Sequence, residues 1–333
     1  MVQRIAIALG AGMVAALLFA VMAKGTPVAM ALAYLAPLPI VIAAFNWGPD
    51  MGAVAAVTAC GGAAALVDPY SGALFGAAIA LPAWLLSALS SAHLGIFRRA
   101  AKDQDQTAGW CPIGLVVAAA AVIGALIGLS ALLSLIVLYG GYQKGVEELV
   151  RQFTADIRDA LDQMIALPAG MTVEEFATLV VRMSPPMLAA AIFLMLCANL
   201  YVGARVAQIS QTLKRPWPNL PEALVLPQPL GVALVLCLGL ALTLGDPLRQ
   251  AAWIGVGAFA AAYALQGLAL AHGLTRGLQH RNPLLFALYL AVAFAPRWVV
   301  PAVTMAGLLE SFLSLRAKRV AAANANSLNQ RKP

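Results

Sequence analysis

Long, uninterrupted apolar runs decide what this chain can become. They lie at about 5–23, 28–45, 51–67, 72–96, 112–139, 186–204, 229–244, 251–271 and 283–315. A helix that crosses a bilayer takes roughly 20 mainly apolar residues. Hydrocarbon supplies no water to backbone N–H and C=O groups, so only helices and closed barrels cross it. A barrel would show strands of about ten residues alternating apolar and polar; these runs do not alternate and are rich in Ala, Leu and Gly. Charged residues make up 11% of the chain, against about 25% in a soluble domain, so most of the surface must meet lipid. The fold expected is all-α: a polytopic transmembrane helical bundle of about ten helices.

Nine runs give ten helices because the last is too long for one span. Pro296-Arg297-Trp298 and then Pro301 interrupt it. Proline removes a ladder donor, and Arg beside Trp marks a membrane–water interface. Two short helices, about 283–295 and 298–315, then meet at an outer turn. With ten helices and a cytoplasmic N-terminus, 14 of the 21 Lys and Arg fall inside and 7 outside. Nine helices would put 9 inside and 12 outside, against the positive-inside rule. Both termini are therefore expected in the cytoplasm, with the chain in a bacterial inner membrane. The net charge of +7 then records orientation; the bilayer is the expected partner and nucleic acid is not. Arg4 and the apolar run to Ala23 also have the outline of a signal peptide cleaved near Ala23. The next segment keeps its orientation either way.

Four regions follow: spans one to five over 1–139, an external insertion over 140–185, spans six to ten over 186–319, and a disordered cytoplasmic tail over 320–333. The insertion holds 4 basic and 7 acidic residues, net −3, which suits an external loop. Val146, Leu149, Val150, Phe153, Ile157, Leu161 and Met164 recur at helical spacing, giving one apolar face. After Pro168-Ala169-Gly170, Thr172 and Glu175 have capping-box spacing and open a second short helix, closed by Pro185-Pro186. The insertion thus reads as an external amphipathic helix pair, packed on the surface or lidding a ligand site.

Chemistry is sparse. No GxxxxGK[ST], HExxH, GxSxG or Cys-x-x-Cys motif occurs, so no catalytic residue, metal site or cofactor is assigned, an enzyme is not expected, and any active transport needs an outside energy source. Cys60, Cys111, Cys197 and Cys237 are scattered and read as small buried hydrophobes. His93, His272 and His280 sit near helix ends as interfacial residues. The candidate ligand-binding residues are Asn46 and Asp50 in an inner turn, Asp68 and Tyr70 in an outer turn, and Asn199 inside the sixth span. Each has a blander reading: the aspartates as turn formers and helix caps, Asn199 as an interhelical hydrogen-bonding group. Glu310 reads as paired with Arg316 or snorkelling. Ala8, Gly12, Ala16 and Ala20 make a stripe of small residues on the first helix, Gly124 and Gly128 a second such pair, and Gly72 and Gly76 a third. Such stripes let helices approach closely, either within the chain or against a partner; Ala8, Gly12 and Ala16 are the candidate docking residues.

The segment Gly307 to Arg319, GLLESFLSLRAKR, resembles the closing helix of the YybS-like bacterial membrane proteins. Asn199-Leu200-Tyr201 with Arg205, followed by KRPWPNLPEALVLP from Lys214 to Pro227, resembles the same family's proline-spaced loop. The likeness covers roughly 184–319 and brings no established activity. That family is distantly similar to the S components of energy-coupling-factor vitamin transporters, which bind a small molecule in a helical bundle and dock through small residues of their first helix. The extra helices and the 140–185 insertion depart from that compact six-helix design. Two functions are expected. One is a transport-related substrate-binding or accessory subunit without its own ATPase, docked on a transporter energising module. The other is a membrane scaffold or assembly factor in an envelope complex, with no small-molecule ligand. A hydrated cavity lined by polar groups favours the first, a solidly filled bundle the second.

Overall fold

The structure, a computed structural model, describes residues 1–93, 109–164, 170–316 and 318, with the backbone alone over 156–164. The basic cluster Arg98, Arg99 and Lys102 and the tail from 320, expected to be disordered, lie outside the described residues. Among the described residues the chain is helical and has no strand, as the apolar runs require. Helices α1 (Val2–Ala20), α2 (Pro27–Ala33), α3 (Leu38–Trp47), α4 (Pro49–Leu66), α5 (Pro69–Phe75) and α6 (Leu81–Ser90) come first. Then follow α7 (Ile113–Tyr139), α8 (Tyr142–Met164), α9 (Val173–Ile209), α10 (Leu220–Ala223), α11 (Gln228–Thr243), α12 (Leu248–Leu274), α13 (Arg281–Phe294) and α14 (Pro296–Leu313). Seven helical segments are long and apolar enough to cross a membrane; α2 with α3, and α5 with α6, count as one each. Helices α11 and α13 are apolar but shorter, and α14 carries Arg297 and Glu310.

Two compact units form, neither continuous in sequence. One comprises Met1–Ala120, Phe193–Gln228 and Ala262–Pro333, the other Ala121–Ile192 and Pro229–Ala261.

The first unit is built on close approach of small residues. On α1, Ala8 and Ala16 are fully buried. A Cβ on Gly12 would lie 2.4 Å from the Ala55 carbonyl oxygen and 2.6 Å from Thr58 Cβ, both on α4. A Cβ on Gly62 of α4 would lie 2.8 Å from Ala16 Cβ, so Gly12 and Ala16 of the stripe approach α4 closely and Ala8 is buried within the chain. Leu9, Met13 and Leu17 on the other face of α1 are exposed, as lipid-facing residues must be. Gly72 and Gly76 likewise sit against Ala64 and Cys60 of α4. The second membrane segment is broken over Tyr34–Pro37, where Pro37 and Pro39 interrupt the ladder. There Leu38 N–H turns to Leu35 C=O at 3.0 Å, and the Tyr34 carbonyl left over accepts from Asn199 Nδ2 at 2.8 Å.

In the second unit, α8 starts where the sequence places an amphipathic helix. Tyr142 and Val146 are buried, and Leu149, Val150 and Phe153 are partly covered; the expected apolar positions Ile157, Leu161 and Met164 lie where only the backbone is described. Thr172 and Glu175 form the expected capping box, Thr172 N–H donating to Glu175 Oε2 at 2.9 Å and Glu175 N–H to Thr172 Oγ1 at 3.2 Å. The helix it opens does not stop at Pro185-Pro186. Helix α9 continues through both prolines to Ile209, so the second amphipathic helix is the first part of a long membrane helix and not a separate member of a pair. The physical reason is visible in the ladder. Prolines 185 and 186 lack the N–H groups that would serve the carbonyls of Val181 and Arg182 four residues earlier. Ser184 Oγ donates to the Val181 carbonyl at 2.9 Å, and Gln250 Nε2 donates to the Arg182 carbonyl. Prolines are tolerated in membrane helices where neighbours satisfy what they free.

Candidate functional site

In the first unit, the ends of α3, α6, α9 and α12 and the start of α7 surround a cavity of about 530 Å³. Beside it, the start of α7 comes close to the chain before α11: a Cβ added at Gly114 would fall 1.7 Å from the Val225 carbonyl oxygen. That segment is pinned by Gln266 of α12, which is fully buried. Gln266 Oε1 accepts from Leu226 N–H at 2.5 Å, and its Nε2 donates to the Gly307 carbonyl at 2.6 Å and to Ser311 Oγ at 2.9 Å. Glu310 and Arg316, the pair the sequence suggested, are joined at 2.8 Å, Glu310 buried and Arg316 largely covered; Arg316 also donates to the carbonyls of Pro221 and Leu224. The chain between α9 and α11 is thus anchored by buried polar groups along its length.

At its start, the same loop delivers a cation into the cavity. Helix α9 ends through Gln211 at φ 56° and Thr212, whose hydroxyl donates to Asn46 Oδ1. Lys214 and Arg215 follow, and prolines 216 and 218 keep the chain from coiling again. The Arg205 guanidinium sits 4.9 Å above the Trp217 ring, and Tyr201 meets Trp217 edge-on at 6.0 Å. Arg215 is 8% exposed. Its Nη1 donates to the carbonyls of Cys111 at 2.8 Å and Ser90 at 3.3 Å, tying the end of α6 to the residue two before α7, while its Nε is buried without a partner. Burial lowers the guanidinium pKa below its ordinary value, opposed by Cys111, yet arginine keeps its proton in proteins. Burial in turn pushes the Cys111 thiol up, Arg215 opposing.

Among the described residues lining this cavity there is no Asp or Glu. Asp50, next in sequence to the lining residue Pro49, is exposed in the first turn of α4, and Glu222 and Glu310 are paired with Arg276 and Arg316. The wall is mainly apolar and aromatic, with Trp110, Trp217, Tyr201 and Tyr289 at hand and Val116, Val117, Leu265 and Leu268 behind. His272 Nε2 meets Tyr289 Oη at 2.9 Å across α12 and α13. No three His, Cys, Asp or Glu side chains among the described residues gather to hold a metal ion.

A family model described as "Predicted membrane protein (DUF2232)" matches residues 13–311. The chain belongs to this family. It is a membrane protein with several apolar helices, and the match covers every element that builds the cavity apart from the tail end of the Arg316 clasp. No curated protein and no solved structure matches it.

The five candidate ligand residues are not brought together. Asn46 is held by Thr212 and donates to the Ile42 carbonyl at 2.8 Å; its neighbours Phe45 and Gly48 line the cavity, but it does not. Asp50 is exposed in the first turn of α4. Asp68 caps α5, accepting from Ser71 N–H at 2.9 Å, and lies beyond the other end of the 18-residue α4, about 27 Å away. Tyr70, beside it, is 74% exposed. Asn199 donates to Tyr34 and Met195 carbonyls, both at 2.8 Å. Sequence reasoning missed Arg215, counted only among the cytoplasmic charges, and Gln266, which stood in plain view as an amide within an apolar run.

Proposed function

We propose that this protein is the membrane-embedded, substrate-binding subunit of a transport system that draws its energy from a partner. The observation that carries this reading is the cavity of about 530 Å³ in the first unit, within the size range of small-molecule sites, with a buried cation in its wall. A scaffold needs neither. The sequence carries no nucleotide-binding loop and so implies a separate motor. The loops around the cavity are those that the charge bias puts in the cytoplasm, so substrate enters or leaves on that face of a bacterial inner membrane. The S-component likeness agrees with this role, although Gly12 and Ala16 of the small-residue stripe on α1 approach α4 closely, so docking to an energising module uses another surface.

The test is native mass spectrometry of the protein released from membranes in mild detergent. A small molecule should travel with the wild type and be lost from Ala269→Phe, which fills the cavity, while melting stays unchanged. Wild-type protein that carries only protein partners, with no small molecule, would favour the envelope scaffold instead.

A further inference from the structure

We infer that the ligand of this cavity is an amphiphile: an anionic head, phosphate or carboxylate, held at Arg215 and Lys214, with an apolar chain lying deeper in the chamber. The inference rests on the ligand-binding reading above and adds the chemical class.

Arg215 carries it. Placing a charge out of water is costly unless it is paired. Here one Nη serves two carbonyls, Nε is buried with no partner, and no carboxylate lines the chamber among the described residues. A residue needed only to join Ser90 to Cys111 would not have to line the cavity or leave a donor unused. An anion arriving from the cavity would take that donor and supply the missing charge. Lys214 lines the same chamber and is exposed, a second cation at the mouth. Trp110 and Trp217 offer indole N–H groups beside apolar rings, the side chains suited to a boundary where one end is wet and the other dry. Most of the remaining lining is apolar, Val, Leu, Ala and Pro among it, with Tyr201, His272 and Tyr289 the larger polar exceptions, and His272 is already bonded to Tyr289.

The experiment uses the full chain in phosphatidylcholine nanodiscs and reads quenching of tryptophan fluorescence by dibromostearate at alkaline pH, by its uncharged methyl ester, and by dibromostearate in competition with inorganic phosphate. The saturable part of the quenching is assigned to the cavity by its loss in Trp110→Phe/Trp217→Phe. The acid should bind at least roughly tenfold more tightly than the ester, as expected for one charge-assisted bond to a buried group. Arg215→Gln should bring the two to parity, and Arg215→Lys should keep most of the preference. Equal saturable binding of acid and ester to the wild type would overturn the anionic head and leave the binding subunit standing. No saturable quenching by either would overturn both. Displacement of the probe by phosphate alone, at matched concentration, would overturn the apolar chain and leave a free-anion site. Should Arg215→Gln fail to fold, the acid-to-ester ratio in the wild type and in Arg215→Lys decides the matter.

Discussion

The continuity of α9 through Pro185-Pro186 makes a sharp prediction about Gln250. That side chain is 4% exposed, and its amide donates to the Arg182 carbonyl, which Pro186 leaves without an intrahelical donor. Gln250→Leu removes the donor and keeps a side chain of comparable size. A buried acceptor left unsatisfied costs about 1–3 kcal/mol, while side-chain hydrogen bonds inside membrane proteins average about 0.6 kcal/mol and reach about 1.7. A loss of about 1–2 kcal/mol is therefore expected. Pro186→Ala gives residue 186 an N–H that reaches the same carbonyl, so Gln250→Leu made on that background should cost under about 0.5 kcal/mol. The assay is equilibrium unfolding in mixed detergent micelles, run as a double-mutant cycle with helicity as the signal. Equal costs on the two backgrounds would refute the reasoning, because the amide would then be stabilising something other than the proline's orphan.

On the first helix, Gly12→Leu should lower the melting temperature of the isolated protein, since even a Cβ there meets the Ala55 carbonyl at 2.4 Å; unchanged melting would show that α1 does not pack on α4 through this stripe. In a background with the four cysteines replaced, a cysteine at Ala155 should react with a water-soluble thiol reagent faster than one at Thr154, because the first position is exposed and the second is 9% exposed; equal fast reaction would mean that α8 is not seated. Ser71 holds the Asp68 carboxyl below its ordinary range, so the stabilisation it gives is fully present above about pH 3.9 and is lost as the pH falls through the lowered value. The melting difference between wild type and Asp68→Ala should accordingly be largest near neutrality and shrink in acid; a difference independent of pH would discount the ionised cap. Reporter fusions after Arg319 and after Lys102 should report cytoplasm and one near Asp159 the outside, with an outside signal after Arg319 ruling out the ten-helix topology.

Much of the fold was legible because it follows from single-segment physics. Apolar run length gave the helices, Thr172 with Glu175 gave a cap, and Pro296-Arg297-Trp298 gave the break between α13 and α14. What was not legible depends on partners far away in sequence. Pro185-Pro186 reads as an end until Gln250 is known to stand beside it. The Ala8, Gly12, Ala16 stripe announces a close approach, but its composition is the same whether the neighbour is α4 or another protein. Arg215 looks like any cytoplasmic arginine, because the carbonyls it meets belong to Ser90 and Cys111, more than a hundred residues earlier in sequence.

A polar residue within an apolar segment is commonly taken as a sign of function, and the buried polar groups here divide by the backbone they serve. Asn199 meets the Tyr34 carbonyl freed near Pro37, Gln250 meets the Arg182 carbonyl freed by Pro186, and Gln266 meets Leu226 N–H just before Pro227. Arg316 takes two loop carbonyls while its charge is matched by Glu310. In each case the proline-rich membrane chain creates an unsatisfied group and a distant side chain closes it, so conserving the fold alone would keep all four. Arg215 also closes two carbonyls, yet it brings a charge that the described residues around it do not match and a donor that they do not use. Backbone repair needs only neutral donors, as Asn199 and Gln250 demonstrate. The surplus charge at Arg215 is what separates a site from a staple.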